Sequence, residues 1–501
     1  MPLRGNSAPY LTITLLIVLA WTGYKITFPV PVFPVDDAYI VIHNAQVLIS
    51  GSDPNYLGAS PLTGTTSAVH LALVTCLMRV LSPLEALAAS LWISILLYGL
   101  GLVRLARVNG LSKTLSVLVA VLGLIAGQAI HQLVNGLETG LMLASVTWAL
   151  ALLSGPSQTQ SRFLAALCGT LPFIRPDLLP LALLFLGLQA AHHWKQSRDR
   201  SEFRCLAGRD IGIACFFALP WSLWNWREVG SVFPSTMNAK RFFFAEAHLP
   251  YGFKAAIVAG HVSEFVTCLG LITVFALFLV TTKLGRAGLL YTGILLLAYY
   301  AQFPHGLAQY EGRYLYPLLP FILLGTVYAL RQPNSHLHRL SAFIFALSLG
   351  QSLVNAPKIW AQNRSGCDFT THDLKGVANW CNQNLPASAT LLVHDAGYIS
   401  YGTRFHLVDF VGLKTPSSIV VHRDLTYPSN GKYRSQAISE IWLTGHANYL
   451  VVLDGWDRAF SVVTGLKKSG WKLRQVNSDY RYEMYAITPP ANKNSAVTNL
   501  K

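Results

Sequence analysis

Residues 10–49 read YLTITLLIVLAWTGYKITFPVPVFPVDDAYIVIHNAQVLI. The first half, 10–29, is long and apolar enough for a transmembrane helix, which needs roughly 20 such residues. It has no obvious small-x-small cleavage site, so it reads as a first span rather than a removed signal. A proline-rich exit follows, Pro29 to Pro34, and then two adjacent carboxylates, Asp36 and Asp37. Beyond them Ala38, Ile42, Ala45 and Ile49 recur at helical spacing, with Val41 and Leu48 widening the stripe. That pattern predicts an amphipathic helix lying on a membrane surface. A membrane span therefore delivers the chain into a loop where paired acids meet water.

The rest of the chain repeats the first half of this pattern. Of 501 residues, 52% are hydrophobic and only 12% charged, against about 25% charged in soluble domains. Further apolar runs lie at 84–103, 114–131, 138–154, 163–174, 178–193, 210–226, 262–282, 287–303, 314–330 and 338–356. With 10–29 they make eleven candidate spans, and 357–501 holds none. The expected fold is an α-helical polytopic membrane protein of about 11 transmembrane helices with a small α/β C-terminal extracytoplasmic domain. The expected division is 1–356 for the membrane module, with 31–83 as its first outer loop and interfacial helices, 357–489 for the soluble domain, and 490–501 for a flexible polar tail.

The formal net charge of +15 does not point to nucleic acid. The positives sit in short loops between apolar runs, as loops facing the cytoplasm do, and no basic face with interleaved aromatics appears. With Arg4 inside, the inner loops hold Arg104, Arg107 and Lys113; Arg162; Lys195, Arg198, Arg200, Arg204 and Arg209; Lys283 and Arg286; Arg331 and Arg339. The outer loop 30–65 holds no Lys or Arg. This balance decides the ambiguous run 66–82, which carries His70 and Arg79. Counted as a span, it would turn the basic loop 192–210 outward, so it reads as an interfacial helix. Eleven crossings then put the C-terminal domain on the non-cytoplasmic side.

The runs 163–174 and 178–193 look too short to cross a core of about 30 Å. They flank Arg175-Pro176-Asp177, so Arg175 and Asp177 are expected in a recess below the outer surface. Ionisable groups there default to function, although an internal Arg–Asp pair is the plainer alternative. Other polar clusters fall on the same side: Thr63-Gly-Thr-Thr66-Ser67, Gly136-Leu-Glu138-Thr139, Pro234-Ser235-Thr236 with Lys240-Arg241, and Glu311-Gly-Arg313-Tyr314. Each by itself reads equally well as a helix cap or a snorkelling base. Together they place both signs of charge at the outer mouth, a set suited to a hydroxyl nucleophile and a phosphate leaving group. Either Asp36 or Asp37 could serve as base, its pKa raised by its neighbour or by apolar surroundings. One of them could instead cap its helix.

In this order the motifs resemble bacterial glycosyltransferases of the C superfamily (GT-C), and more narrowly the mycobacterial terminal arabinofuranosyltransferases and their relatives. The matching elements are Asp36-Asp37-Ala38-Tyr39, Gly64-Thr65-Thr66-Ser67, Gly136-Leu137-Glu138-Thr139, Arg175-Pro176-Asp177, Pro234-Ser235-Thr236 with Ala239-Lys240, Arg313-Tyr314 with Pro317, His394-Asp395-Ala396-Gly397 and Asp409-x-x-Gly412-Leu413. Two depart from the family pattern: Asp177 stands for Glu, and Ser235 for Asn. The resemblance implies a polyprenyl-phosphate sugar as donor and inverting transfer, with arabinofuranose the implied sugar. The acceptor would be a glycan, lipid or protein of the cell envelope. It implies a first-loop aspartate as general base, Asp36 before Asp37. It implies donor phosphate contacts from Lys240, Arg313, Arg175 and Thr236, and substrate contacts from Glu138, Thr66 and Asp177. Some members use a divalent cation; the sequence shows no dedicated cage and leaves the metal open. The alternative class is a transporter or flippase for a lipid-linked sugar. Transporters place ionisable groups near the midplane and often carry internal repeats, and neither is evident here. An outer-face binding protein is a third reading, which leaves Asp36-Asp37 and Arg175 unused.

In the C-terminal segment, 371–384 reads as a helix, and 391–394, 406–410, 449–453 and 482–487 as strands. Asp395 and Asp409 end two of these, at positions that suit ligand binding and structural turns equally. A Cys367–Cys381 disulfide is disfavoured by helical spacing at Cys381. The topology makes a direct prediction. A cysteine placed in the 192–210 loop is expected to resist an impermeant thiol reagent applied to the outer face, and one at the C-terminus to react. Labelling of the 192–210 loop from outside would refute the assigned orientation.

Overall fold

The computed structural model describes residues 7–155 and 158–490. The N-terminal Arg4 and the tail beyond Pro490 lie outside these residues. The chain forms two compact units: Met1–Pro31, Ser67–Trp224 and Gly252–Arg364 in the first, and Val32–Thr66, Asn225–Tyr251 and Ser365–Lys501 in the second.

The first unit is helical, and its surface is apolar. Leu19 is 67% exposed, Phe216 71%, Leu277 69% and Val354 79%, while Asn135, Thr147 and Arg175 are fully buried. Large apolar side chains facing out around a polar-containing core are expected where lipid replaces water. Among the described residues six helices are long and apolar enough to cross a membrane: Ala8–Thr27, Pro83–Val108, Arg200–Val229, Tyr251–Thr281, Lys283–Gln302 and Ser335–Asn384. Pro304–Gly312 and Tyr316–Leu330, bent by 73°, would make a seventh. Helix occupies most of each of the eleven expected runs, and by length and composition six or seven helices qualify as crossings. Lys113–Ile125 and Thr139–Leu153 have 13 and 15 residues, about 20 and 22 Å at 1.5 Å each. Ala68–Leu77, in the ambiguous run, is shorter still at 10 residues, and Ser67 caps it, its hydroxyl accepting the His70 N–H at 3.1 Å. The helices flanking Arg175 are longer than expected, Gln158–Ile174 and Leu179–Gln196. Their length therefore does not force a recess, because the mostly polar residues 158–162 and 194–196 beyond the apolar runs are helical too.

The second unit is built on a five-stranded sheet in the order β2-β1-β3-β5-β4. The strands are β1 (Thr390–Val393), β2 (His406–Asp409), β3 (Tyr449–Leu453), β4 (Lys472–Asn477) and β5 (Tyr482–Thr488). β1 pairs in parallel with β2 and β3, while β5 runs antiparallel to β3 and β4. The central strands are continuous apolar runs, as buried parallel strands are. The sequence reading missed β4, a largely exposed edge strand of mixed polarity.

The first loop folds with this sheet, although the expected boundary at 356/357 assigned it to the membrane module. Asn55 donates to the carbonyls of Thr403 and Phe405 at 3.1 and 3.0 Å, and its own carbonyl accepts the Leu407 N–H at 2.9 Å. The helix after the paired acids, Asp37–Ser50, does not expose one polar face as a surface-lying helix would. His43, Asn44, Tyr39 and Ile40 are buried along with Ala38, Ile42 and Ala45. The polar ones have partners: Lys414 Nζ donates to Asn44 Oδ1 at 2.6 Å and to Asp53 Oδ2 at 3.2 Å, and His43 Nε2 lies 3.1 Å from Asp53 Oδ1. A buried ammonium is tolerable only with such pairing. All seven cysteines are unbridged, Cys367 and Cys381 included.

His422 is sealed in the second unit. Its Nε2–H donates to the Phe410 carbonyl at 2.6 Å, so Nδ1 accepts from the Thr426 hydroxyl at 2.7 Å. Burial pushes its pKa down to about 4, from about 6.5 in an unfolded chain. The folded state therefore binds fewer protons over that interval, and stability falls as pH drops from 6.5 to 4, by on the order of 3 kcal/mol. Ring chemical shifts of His422 are expected to report the neutral form at pH 5, and His422→Gln to flatten the acid limb of stability. Titration of this ring near 6.5 would contradict the assignment.

Candidate functional site

In the second unit the paired acids take different places. Asp36 precedes the helix, but its side chain makes no capping bond. Its Oδ2 accepts the Gly397 N–H and its Oδ1 the Tyr398 N–H, both at 2.7 Å. A Cβ on residue 397 would collide with the Asp36 carbonyl and carboxylate, so only glycine admits this approach. The Asp-Ala-Gly element of the sequence is thus the receptor for the first-loop acid. Burial, with Asp395 next, pushes the Asp36 pKa well up, against the pull of the two amides and with a further push from Asp37.

Asp37 opens the helix and is left partly exposed. Lys240 Nζ stands 3.6 Å from its Oδ2, and the two side chains are 14% and 20% exposed. Lys240 sits on Thr236–Phe244, with Thr236 buried at the first position. Thr66 is half-buried two residues beyond Gly64, whose φ of +81° and missing Cβ leave room for the Lys414 side chain.

Asp395, read as a strand end, is the centre of a small network. Its Oδ2 accepts from the Tyr482 hydroxyl, and its Oδ1 lies 3.0 Å from His394 Nδ1. His394 Nε2 accepts the Leu453 N–H at 2.9 Å, so the ring proton is on Nδ1, facing the carboxylate. The His394 ring stacks on Trp456 at 4.2 Å. Burial opposes the Asp395 charge, but His394 and the Tyr482 hydroxyl outweigh it and hold the carboxyl below its usual range. Asp409 is a structural turn, accepting from Val411 and Lys414 N–H at 2.8 Å each. The sequence placed both acids at strand ends and His394 beside Asp395, but gave no sign that Tyr482, on β5, donates to Asp395.

In the first unit Arg175, Asp177, Glu138 and Arg313 come together. Arg175 holds Asp177 through Nε at 3.1 Å and through Nη2, and donates from Nη1 to the Arg313 carbonyl at 3.1 Å. Arg313 Nη2 donates to Glu138 Oε1 at 2.7 Å. Glu138 occupies a helix N-cap position but makes no capping bond. Tyr314 lies beneath both guanidiniums, at 4.9 and 5.0 Å. Arg313 is presented by a left-handed turn, with φ of 48° at Tyr310, 59° at Glu311 and 72° at Gly312. Such backbone is costly for the first two. Gln132 clamps it, donating to the Tyr310 and Glu311 carbonyls at 2.6 and 3.2 Å. No residue preference in the sequence announces either the turn or the clamp.

Among the described residues no group of three His, Cys, Asp or Glu side chains is placed to hold a metal.

The comparisons with known proteins follow this geometry. Residues 361–485 match a domain of unknown function, DUF8728, and no curated protein matches the chain. ArnT from Cupriavidus metallidurans, bound to undecaprenyl phosphate, is similar over 96% of this chain and 98% of that one, with TM-score 0.53 and 11% identity. The Archaeoglobus fulgidus oligosaccharyltransferase is similar over 95% and 73%, with TM-score 0.49 and 12% identity. The arabinofuranosyltransferase AftD from Mycobacteria is similar over 97% of this chain but 42% of its own length, with TM-score 0.48 and 14% identity. The likeness to ArnT, which spans nearly all of both chains, shows that this protein shares the ArnT fold.

The close fit at Gly397 predicts that Gly397→Ala destabilises the protein by about 1–3 kcal/mol. Gly455→Ala, with nothing within 4 Å of the added Cβ, should stay within about 0.5 kcal/mol. Denaturant unfolding of the purified chain measures both, and equal effects would refute the Asp36–Gly397 constraint.

Proposed function

We propose that the protein is a membrane glycosyltransferase that moves a sugar from a polyprenyl-phosphate donor to an envelope acceptor. The observation that carries this reading is the Asp37–Lys240 pair, a partly exposed carboxylate beside an ammonium in a GT-C-like fold. In the proposed step Asp37 takes the proton of an acceptor hydroxyl as its oxygen attacks the anomeric carbon. The bond from that carbon to the phosphate oxygen breaks, its electron pair leaves with polyprenyl phosphate, and Lys240 balances the added charge. One displacement inverts the anomeric centre. Both oxygens of Asp36 are already held by backbone N–H groups, which favours Asp37 as the base and makes Asp36 a positioning residue.

Lys240 is the first choice for the phosphate over Arg175 and Arg313. Its contact with Asp37 is long and partly exposed, so a phosphate can compete for it. The two guanidiniums are buried against Asp177 and Glu138, and removing a buried partner is costly. In this reading those four residues set the shape of the helical unit, Thr236 opens the helix that carries Lys240, and Thr66 follows Thr65, whose hydroxyl accepts from Asn44 of the Asp37 helix at 2.7 Å. A further support is an apolar cavity of about 760 Å³ in the first unit, lined by Ile13, Ile17, Trp92, Leu124, Leu133 and Trp360 among others. It suits an isoprenoid chain, and ArnT, similar in fold, is a structure bound to undecaprenyl phosphate. Arabinofuranose is the sugar favoured by the motif resemblance, and the outer face of a bacterial inner membrane the favoured location.

Reconstituted protein is expected to transfer sugar from a synthetic polyprenyl-phosphate donor. Asp37→Asn should lower turnover by roughly 10²–10⁴-fold, and Lys240→Ala should raise the donor KM. Full turnover by Asp37→Asn would overturn the base assignment. Movement of the lipid-linked sugar across vesicles without any transfer would overturn the class.

A further inference from the structure

The second unit holds a cavity of about 400 Å³ that the transfer step does not use. This is within the size range of small-molecule sites. Its wall combines the first loop at Tyr56 and Ser60, Glu228 and Ser235 from the 225–251 segment, and Thr415 and Ser417 from the C-terminal segment. Three stretches far apart in sequence thus converge on one space.

The groups facing this space are mostly hydroxyls. Ser60 donates to Glu228 Oε2 at 2.9 Å, and Glu228 Oε1 has no donor among the described residues. The Thr415 hydroxyl accepts the Asp409 N–H at 2.9 Å, which leaves its own proton to give. Tyr56 is only 3% exposed and its hydroxyl is sealed inside the unit, so its ring packs the cavity wall without offering the hydroxyl to it.

Charge narrows the ligand. Lys414 also lines the cavity, but its ammonium is spent on Asn44 and Asp53 and lies over the Tyr56 ring at 5.1 Å. Glu228 is therefore the one lining side chain with a charge to offer, and it is negative. That combination repels anions and suits a neutral polyhydroxyl ligand, whose hydroxyls can donate to Glu228 and accept from Thr415.

Position narrows it further. The loop from Tyr56 to Ser60 follows the helix that begins at Asp37, and Ser235 immediately precedes the helix that carries Lys240. We propose that this cavity is a binding subsite for a neutral saccharide, the part of the acceptor glycan next to the sugar that receives the transfer. The binding itself is independent of the transferase reading; naming the ligand as acceptor rests on it.

The test is equilibrium binding of the full-length protein in lipid nanodiscs to an array of neutral bacterial envelope oligosaccharides and their uronic-acid counterparts. The unaltered protein should bind neutral members and reject acidic ones. Ser417→Trp, at an exposed position, should fill the cavity and cut binding at least tenfold. Glu228→Gln should weaken it several-fold, and Lys472→Ala, on the exposed edge strand β4, should leave it unchanged. Thermal unfolding at the unaltered temperature establishes that each variant folds. No binding by the unaltered protein, a preference for acidic glycans, or full binding by folded Ser417→Trp would overturn the subsite. Saccharide binding with the expected variant pattern but no sugar transfer from polyprenyl-phosphate donors would keep the subsite and remove the transferase reading.

Discussion

Two backbone N–H groups, of Gly397 and Tyr398, hold the Asp36 carboxylate at 2.7 Å each. This contact joins residues 361 positions apart in sequence, and it requires a residue without a Cβ at 397. Asn55 and Lys414 add further ties between the first loop and the C-terminal segment. Together they make the loop part of the sheet-bearing unit and fix where the next residue, Asp37, can stand. An acid that could have capped its helix makes no capping bond and instead ties the first loop to the C-terminal segment.

A second constraint comes from the bilayer. Apolar solvent provides no hydrogen bonds, so polar groups in the helical unit must satisfy one another. The Arg175–Asp177 and Arg313–Glu138 pairs do so with good geometry, and the Gln132 clamp satisfies carbonyls that a left-handed turn would otherwise strand. This is why ionisable residues with the same sequence signature can differ in use. Those sealed in the helical unit are matched by their own partners, while Asp37 and Lys240 meet at a longer, partly exposed contact.

Much of the fold was legible because its signals are local. Apolar runs, the charge asymmetry between loops and the continuous β1 and β3 runs each depend on near neighbours in sequence. The failures were also physical. The Asp37–Ser50 helix was misread because its hydrophobic stripe is real but its polar face is also buried. β4 was missed because an exposed edge strand lacks alternation.

The candidate site divides in the same way. Sequence by itself determined the membrane class, the helical runs and the paired acids, since hydropathy and charge are properties of short stretches. It also determined which bases and hydroxyls were candidates. Only the tertiary structure decided that Asp36 is held by the Gly397 and Tyr398 N–H groups while Asp37 stands beside Lys240, that Arg313 faces Glu138, and that Asp395 receives the Tyr482 hydroxyl. Those assignments depend on hydrogen-bond geometry between distant segments, and residue type alone does not specify which donor reaches which acceptor.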